Sequence, residues 1–338
     1  MFFASWQYVC HVNDVADAGS YVTASILDQD VFVIRDKAGP LRAFYNVCRH
    51  RAHRLLNGSG RAPVITCPYH AWSYRPDGSL RSARATDGVR DFRPDDFSLV
   101  PVQLEELHGL VFVNLDPAAR PLAEQAGDLV GQMQKLAGDS ASLVKAATME
   151  WEIEANWKVV IDNFLECYHC APAHPDFARL VDLATYKPTT YAIHSMHESD
   201  AGRPDNSAYA FDPARHGTRA IFWWLWPTTT FGVVPGPPNL AMFYLRPLGP
   251  ERTVEVVDYY FPDGPLDQTA KDRIRYANEV LQPEDNRLCE NVQRGLRSRG
   301  YSQGRFIVNP DRTDISEHAV HHFHSLYMQA MAEVSHDR

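Results

Sequence analysis

The spacing of apolar and polar residues changes rhythm about a third of the way along the chain. Before that point the apolar stretches are short or alternate with polar residues, at positions 21–27, 31–35, 41–46, 64–67, 72–74 and 110–114. Turn-forming stretches at 36–40, 57–61 and 75–78 separate them. Alternation at period two marks half-buried strands, so this part is predicted to be a small all-β domain. The polar, proline-containing break at 116–121 is the expected boundary, giving domains 1–118 and 119–338.

Beyond the break the periods are mixed. Residues 122–136 read as a helix and 149–154 as a strand. Residues 220–234, 240–247 and 253–261 read as a meander of antiparallel strands. Residues 266–281 and 283–296 read as helices, and a further helix follows near the C-terminus. The expected class is α+β.

One helix carries two stripes. Asn156 is placed to cap a helix running to about Tyr168. Trp157, Val160, Ile161, Phe164, Leu165 and Tyr168 fall on one apolar stripe with the rhythm of a buried face. Asp162, Glu166 and His169 fall on a second, roughly opposite, which by itself reads as a solvated face. His174 follows five residues after His169, and an ideal helix would splay them by about 140°. Pro172 must end or distort the helix, so His174 can fold back towards His169. Two histidines at such a break fit two ligands of a two-His, one-carboxylate iron site. Asp285, just after Pro283 and in line with Leu288 and Val292, is the candidate third ligand. Its competing reading is a first-turn aspartate favoured by the helix dipole.

Two further pairs lie in the β part, Cys48-Arg-His50 and Cys67-Pro-Tyr-His70, sixteen residues apart. Each offers one thiolate and one imidazole. In a Rieske centre two Cys hold one iron of a 2Fe–2S cluster and two His hold the other. A structural zinc site is the alternative, but zinc fingers usually pair Cys with Cys and His with His, and here both pairs are mixed. Pro68, Tyr69 and Trp72 add a rigid, aromatic-covered loop.

Composition narrows the picture. The 338 residues are 45% hydrophobic, enough for two compact cores, and the net charge of −9 argues against nucleic acid as a partner. No apolar stretch approaches a membrane span, and the start does not resemble a signal peptide. Six cysteines in a chain this long do not suggest a disulfide framework; beside histidines they point to metal ligation in the reducing cytoplasm. Cys167 and Cys170 read as packing residues, Cys10 and Cys289 as core. The histidines at 318, 321, 322 and 324 read as packing or interface.

With these motifs in hand, the chain resembles Rieske non-haem iron ring-hydroxylating oxygenase α subunits over nearly its whole length, nearest the branch that oxidises quaternary ammonium compounds. The resemblance runs through Leu41-Arg-Ala-Phe-Tyr-Asn-Val-Cys48, Thr66-Cys-Pro-Tyr-His-Ala-Trp72, Asn156-Trp-Lys158, Glu166-Cys-Tyr-His-Cys170, Pro172-Ala-His-Pro175, Trp224-Leu-Trp-Pro227, Pro283-Glu-Asp285, Gly295-Leu-Arg-Ser-Arg-Gly-Tyr301 and Ile315-Ser-Glu-His318. It implies a Rieske domain followed by a helix-grip (START-like) catalytic domain with an antiparallel sheet. It implies a head-to-tail homotrimer, in which the cluster of one subunit serves the iron of its neighbour. The implied cofactors are a Rieske 2Fe–2S cluster at Cys48, His50, Cys67 and His70, and mononuclear Fe(II) at His169, His174 and Asp285. Glu166 would bridge the two centres, the choice typical of the quaternary ammonium branch. Asp162 would either tune histidine orientation or be a plain solvated acid.

The implied partners are O₂, a separate flavin and iron–sulfur reductase fed by NADH or NADPH, and a small cationic substrate such as carnitine or a betaine. Hydroxylation or demethylation of an aromatic acid is the alternative, and a non-enzymatic electron carrier the outside one. Trp223, Trp224, Trp226, Phe231, Tyr186 and Tyr191 are candidates for an aromatic cage, with strand core as their competing reading. Arg246 or Arg219 is the candidate partner for a substrate carboxylate. Family chains begin several dozen residues earlier, so truncation of this one is expected. Residues 187–219 match no family pattern and are expected to border the pocket.

Overall fold

The structure, a computed structural model, describes residues 1–308 and 310–336. The chain divides into two compact units, Phe2–Leu122 and the part that begins at Ala123.

The first unit is built of strands β1 (Gln7–His11), β2 (Ser20–Ile26), β3 (Gln29–Arg35), β4 (Leu41–Tyr45), β5 (Ser59–Arg61), β6 (Ile65–Thr66), β7 (Ser73–Tyr74), β8 (Leu80–Ser82), β9 (Pro101–Leu107) and β10 (Leu110–Asn114). Seven of them form one sheet in the order β1-β10-β9-β4-β3-β2-β5, and β6-β7-β8 form a second. Strand β3 is apolar on both sides because it separates two cores. Val31 and Val33 pack with Val9, Cys10, Val111 and Val113. Phe32 and Ile34, pointing the other way, pack with Cys48, Cys67, Trp72 and Tyr74. The expected turn at 57–61 is shorter than its composition suggested. Gly58 turns the chain at φ +62°, and Ser59–Arg61 immediately pair with Ser20–Val22.

The second unit carries β11 (Val144–Ile153), β12 (Lys187–Thr190), β13 (His194–Asp200), β14 (Arg219–Leu225), β15 (Thr229–Val233), β16 (Leu240–Gly249) and β17 (Arg252–Phe261). They pair antiparallel throughout in the order β11-β17-β16-β15-β14-β13-β12. The helices are α1 (Leu122–Ala126), α2 (Leu129–Leu136), α3 (Trp157–Phe164), α4 (Cys170–Ala173), α5 (Phe177–Leu180), α6 (Gln268–Tyr276), α7 (Gln282–Leu296) and α8 (His318–His336). Ala241, Val257, Tyr259 and Phe261 of the sheet pack against Ala270, Ile274 and Ala277 of the α6 region. The architecture is the α+β arrangement expected from the change of period. Residues 187–219, expected only to border a pocket, supply β12, β13 and the first residue of β14.

Several boundaries differ from the sequence reading. The single helix expected at 122–136 breaks at Gly127, which sits at φ +58°. Asn156 caps α3 through its side chain, accepting the Lys158 N–H at 3.0 Å. That helix nevertheless stops at Phe164, because Glu166 accepts the His169 N–H and draws the chain into a turn. Tyr168, assigned to the buried stripe, is therefore 49% exposed. Helices α6 and α7 run on through a π-helical turn at Ala277–Leu281, just ahead of Pro283. A widened turn accommodates the missing proline N–H, and such turns often accompany functional sites. The buried face of α7 is also shifted by one residue. Cys289 and Gln293 are buried, whereas Val292 is 51% exposed, so Asp285 shares its face with Cys289 rather than with Leu288 and Val292. Among the described residues no helix is long and apolar enough to cross a membrane.

Candidate metal centres and substrate cavity

In the first unit, two loops present one Cys and one His each, and they share one conformation. Cys48 N–H donates to His53 O and Cys67 N–H to Trp72 O, both at 2.8 Å. Ala52 and Ala71 each donate back to the Cys carbonyl at 3.0 Å, and each lies in the left-handed region, at φ +56° and +60°. Asn46 ties down the first loop, accepting from Leu55 and Leu56 N–H and donating to Leu56 O. Both thiols are buried, while the His50 and His70 rings stand at the rim with centroids 4.6 Å apart. His50 stacks on Trp72 at 4.8 Å. Burial, with Cys48 beside it, pushes the Cys67 thiol pKa up. Tyr74 Oη lies 3.3 Å from Cys48 Sγ. A hydroxyl there can donate to a ligating thiolate, one of the contacts that tunes an iron–sulfur potential. His70 Nδ1 is buried with no hydrogen-bond partner among the described residues. An orphaned imidazole nitrogen beside a second imidazole and two buried thiols fits the donor set of a Rieske cluster.

In the second unit, the turn after α3 and the first turn of α7 bring His169, His174 and Asp285 together. One ligand atom from each lies within 4.8 Å of the others, the one such group of three His, Cys, Asp or Glu among the described residues. Asp285 Oδ1 is 2.9 Å from His174 Nε2 and 3.5 Å from His169 Nε2. The opposite ring nitrogens are held by two other carboxylates. His169 Nδ1 is 2.5 Å from Glu166 Oε1, and His174 Nδ1 is 2.8 Å from Glu284 Oε2. A carboxylate behind each imidazole fixes its tautomer and aims its Nε2 at a metal. Burial disfavours the charged His169 ring, but the hydrogen bonds it donates to Asp285 and Glu166 outweigh that and hold the pKa at about 9. Burial would raise the Asp285 pKa, yet hydrogen bonds from His169 and His174 bring it down to about 2. Three carboxylates around two imidazoles make a site that attracts a cation and fits iron(II).

Glu284 was missed in the sequence. It is adjacent to Asp285 in the same Pro-Glu-Asp run, and only packing shows that both acids reach His174. Among the described residues Asp162, which one reading had tuning histidine orientation, makes no hydrogen bond to His169 or His174. Its carboxylate accepts from His324 Nε2 of α8 at 2.9 and 3.1 Å, because α3 ends before its acidic stripe is complete. Cys167 and Cys170 are buried as expected, but the structure joins them in a disulfide, contrary to the reading of all six cysteines as reduced.

A cavity of about 120 Å³ opens on the triad. Phe164, Phe177, Tyr186, Phe222 and Phe243 line it, with Leu281 and the carboxylate of Glu255. No lysine or arginine is among its lining residues. Glu255 is 5% exposed, accepts a hydrogen bond from Gln282 Nε2, and has no ion pair with a basic side chain among the described residues. Burial, helped by nearby Asp285, raises its pKa to about 8.

Of the six expected cage aromatics only Tyr186 lines this cavity. Trp223 and Phe231 are fully buried and stack on each other at 5.3 Å. Trp224 and Trp226 pack on Phe323 of α8, and Tyr191 stacks on His194. Phe222 and Phe243 take their place. Neighbours along a strand face opposite ways, and sequence alone does not say which set faces the site. Arg246 and Arg219 are also elsewhere, paired with Glu150 and Glu198.

Comparison with known proteins follows the division into two units. Residues 5–93 match the Rieske [2Fe-2S] domain, and residues 140–333 match the ring hydroxylating alpha subunit (catalytic domain). A carnitine monooxygenase oxygenase subunit from Acinetobacter pittii (strain PHEA-2) is 41% identical over 331 residues, covering 97% of this chain and 89% of that protein. The solved structure of a quaternary ammonium Rieske monooxygenase, described in connection with carnitine oxidation by gut microbiota, superposes with TM-score 0.92 at 40% identity. A structure of such an enzyme in complex with its substrate L-carnitine superposes with TM-score 0.88, also at 40% identity. Both alignments cover 97% of this chain and 89% of the other.

Proposed function

This chain belongs to the Rieske ring-hydroxylating oxygenases, and from that premise we propose that it is the terminal oxygenase of a system that oxidises a quaternary ammonium compound, with carnitine as the leading candidate. Cys48, His50, Cys67 and His70 hold the 2Fe–2S cluster, and His169, His174 and Asp285 hold the mononuclear iron. Together these cofactors, when bound, store reducing equivalents and activate O₂ for attack on a C–H bond.

The chain's own residues orient and select. Glu166 holds the proton on His169 Nδ1 and Glu284 the proton on His174 Nδ1, which leaves both Nε2 lone pairs free for the metal. His169, His174 and Asp285 would hold the iron at the wall of the cavity, where it would supply the activation of O₂ beside a substrate bound among the lining residues. Hydroxylation of a carbon attached to the ammonium nitrogen consumes one O₂, two electrons and two protons, and gives water and a carbinol. The carbinol hydroxyl then loses its proton to form the aldehyde carbonyl as the C–N bond breaks with its electron pair going to nitrogen, releasing an amine, an aldehyde and one proton. Electrons come from NADH or NADPH through a separate flavin and iron–sulfur reductase. The assembly is a head-to-tail homotrimer in the cytoplasm, with Glu166 between the cluster of one subunit and the His169 of the next.

The observation that carries the cationic reading is the cavity wall. Aromatic rings and the buried Glu255 line it, with no Lys or Arg among its lining residues; a bound cation would favour the ionised form of this carboxyl, whose pKa burial raises to about 8. A trimethylammonium group is large and weakly hydrated, and each desolvated cation–π contact is worth about 0.5–2 kcal/mol. The test is a binding series with carnitine, its tert-butyl isostere, which keeps the carboxylate and lacks the positive charge, and a benzoate. Carnitine should bind at least about tenfold more tightly than the isostere, a difference of about 1.4 kcal/mol. Equal affinity, or turnover of the benzoate alone, would transfer the case to aromatic acids.

A further inference from the structure

A second chamber, of about 60 Å³, adjoins the cavity on the triad. Phe177, Phe222, Phe243 and Leu281 line both. Its floor is low because register places Phe222, Gly232, Ala241 and Tyr259 in one row across the sheet, with two small residues at the centre. A Cβ at residue 232 would lie 2.6 Å from the Phe222 ring, so glycine is required there.

Among the residues lining this chamber is Arg273 of α6. It is 4% exposed, and no carboxylate forms an ion pair with it among the described residues. Its guanidinium carbon lies 5.6 Å from the Tyr259 ring and 5.4 Å from the Phe261 ring. Its Nη1 is buried with no hydrogen-bond partner among the described residues. The hydroxyl of Tyr276, which lines the same chamber, is likewise buried and unpartnered. Burial lowers the Arg273 pKa, as expected for a cation without an anion. A guanidinium nonetheless stays charged in proteins. A buried, unpaired charge is costly, and two ring faces recover only part of that cost.

We infer that Arg273, assisted by the Tyr276 hydroxyl, is the anchor for a carboxylate at the far end of the substrate from the carbon that is oxidised. The two oxygens of a carboxylate satisfy both orphaned donors at once, and Arg is the side chain best shaped to hold such a group. The inference deepens the reading of the site as one for a quaternary ammonium compound and rests on it. It narrows the substrate to a zwitterion. The cation lies among the phenylalanines beside Glu255, and the anion lies beside Arg273. Glu255 and Tyr259 are four residues apart on the same face of β17, about 13 Å along the strand. A ligand that meets both poles carries a cation at one end and an anion at the other, as a betaine does.

The experiment is equilibrium binding of three ligands to the metal-loaded protein and to Arg273→Met. The ligands are carnitine, its carboxamide (cation only) and its tert-butyl isostere (carboxylate only). Wild type should prefer carnitine to the carboxamide by about thirtyfold, within the range of a charge-assisted hydrogen bond. In Arg273→Met that preference should fall to within about threefold, while the preference for carnitine over the isostere is unchanged. Because the cation is unpaired, its removal should leave the melting temperature equal or higher. Arg273→Lys and Tyr276→Phe should each weaken the carboxylate preference partially, and they give the same readout if Arg273→Met folds poorly. A carboxylate preference that survives in these variants overturns the assignment and leaves the cationic reading untouched. Loss of the carboxylate preference on substitution, with no preference for carnitine over the isostere in any protein, upholds Arg273 as an acid anchor and overturns the cationic reading.

Discussion

The two metal-binding regions are built in opposite ways. In the first unit, the four candidate donors come from one short stretch, residues 48–70, in two loops that close on themselves through equivalent backbone hydrogen bonds. Its imidazoles stand at the rim. In the second unit, His174 and Asp285 are 111 residues apart in sequence. They meet only after α3 and α7 have packed together, and His174 is 2% exposed. One site is a local motif that needs little of the fold to exist. The other is a tertiary product whose geometry depends on carboxylates behind each histidine. The first should therefore respond to ligand loss alone, and the second also to changes in residues that never touch the metal.

The largest expected effects break one region and spare the other. Cys48→Ala should abolish the visible spectrum of the cluster and retain mononuclear iron. Asp285→Ala should lose that iron and all turnover and keep the cluster spectrum. Iron and sulfide assays with absorption spectra distinguish the two patterns. Full iron and activity in Asp285→Ala would pass the third ligand role to another acid, with Glu284 first in line because it already reaches His174.

A step smaller are the two supporting carboxylates, and here the regions should differ most. Removing groups of this kind typically costs about 10–100-fold in metal affinity or activity. Glu166→Gln should lie at the upper end in turnover, near about 100-fold, with both centres still assembled and the cluster still reduced by the reductase. Glu284→Gln should lie nearer about tenfold and appear first as weaker iron retention in a chelator titration. Near-wild-type turnover in Glu166→Gln would remove that residue from the route between the centres.

The same contrast governs what was legible beforehand. The mixed Cys/His pairs were readable because each loop carries its chemistry within four residues. His169, His174 and Asp285, which the structure brings together, were singled out because Pro172 was expected to break one helix and Pro283 to open another; α6 and α7 instead run on through a π-helical turn ahead of Pro283. The Asn156 cap and the strand meander followed from local preference and period. What escaped depends on which face meets which. Trp223, Trp224 and Phe231 were cage candidates with strand core as the competing reading; they are buried in the sheet, and pairing turns Phe222 and Phe243 to the cavity. The α7 face was read one residue out of phase, so Cys289 was not seen beside Asp285. Arg273 drew no attention, since an arginine in a polar helix ordinarily faces water. Only the surrounding Tyr259 and Phe261 rings show that it does not.

The smallest expected effect concerns Asp162, which one reading aimed at the triad and the structure ties to α8. His324 donates to its carboxylate, while Phe323 packs edge-on against Trp157 at 5.6 Å on the same helix pair. The hydrogen bond with Asp162 raises the His324 pKa. Burial raises that of Asp162, and the His324 hydrogen bond works against it. A histidine raised above its unfolded value contributes stability that is fully present below about pH 6.5 and is lost as pH rises through the folded value. The carboxylate must remain ionised for the pair to form, so the pair is strongest between the two raised values. The His324 side chain is 46% exposed and that of Asp162 35%, so solvent screening holds the pair to at most about 1 kcal/mol. His324→Ala should lower the melting temperature by about 2–4 °C near pH 6 and by less near pH 9. Turnover per bound iron should be unchanged, because the pair reaches neither His169 nor His174. An equal loss of stability at both pH values would mean that His324 contributes by packing on Phe306 and Phe323, and that its charge does not matter.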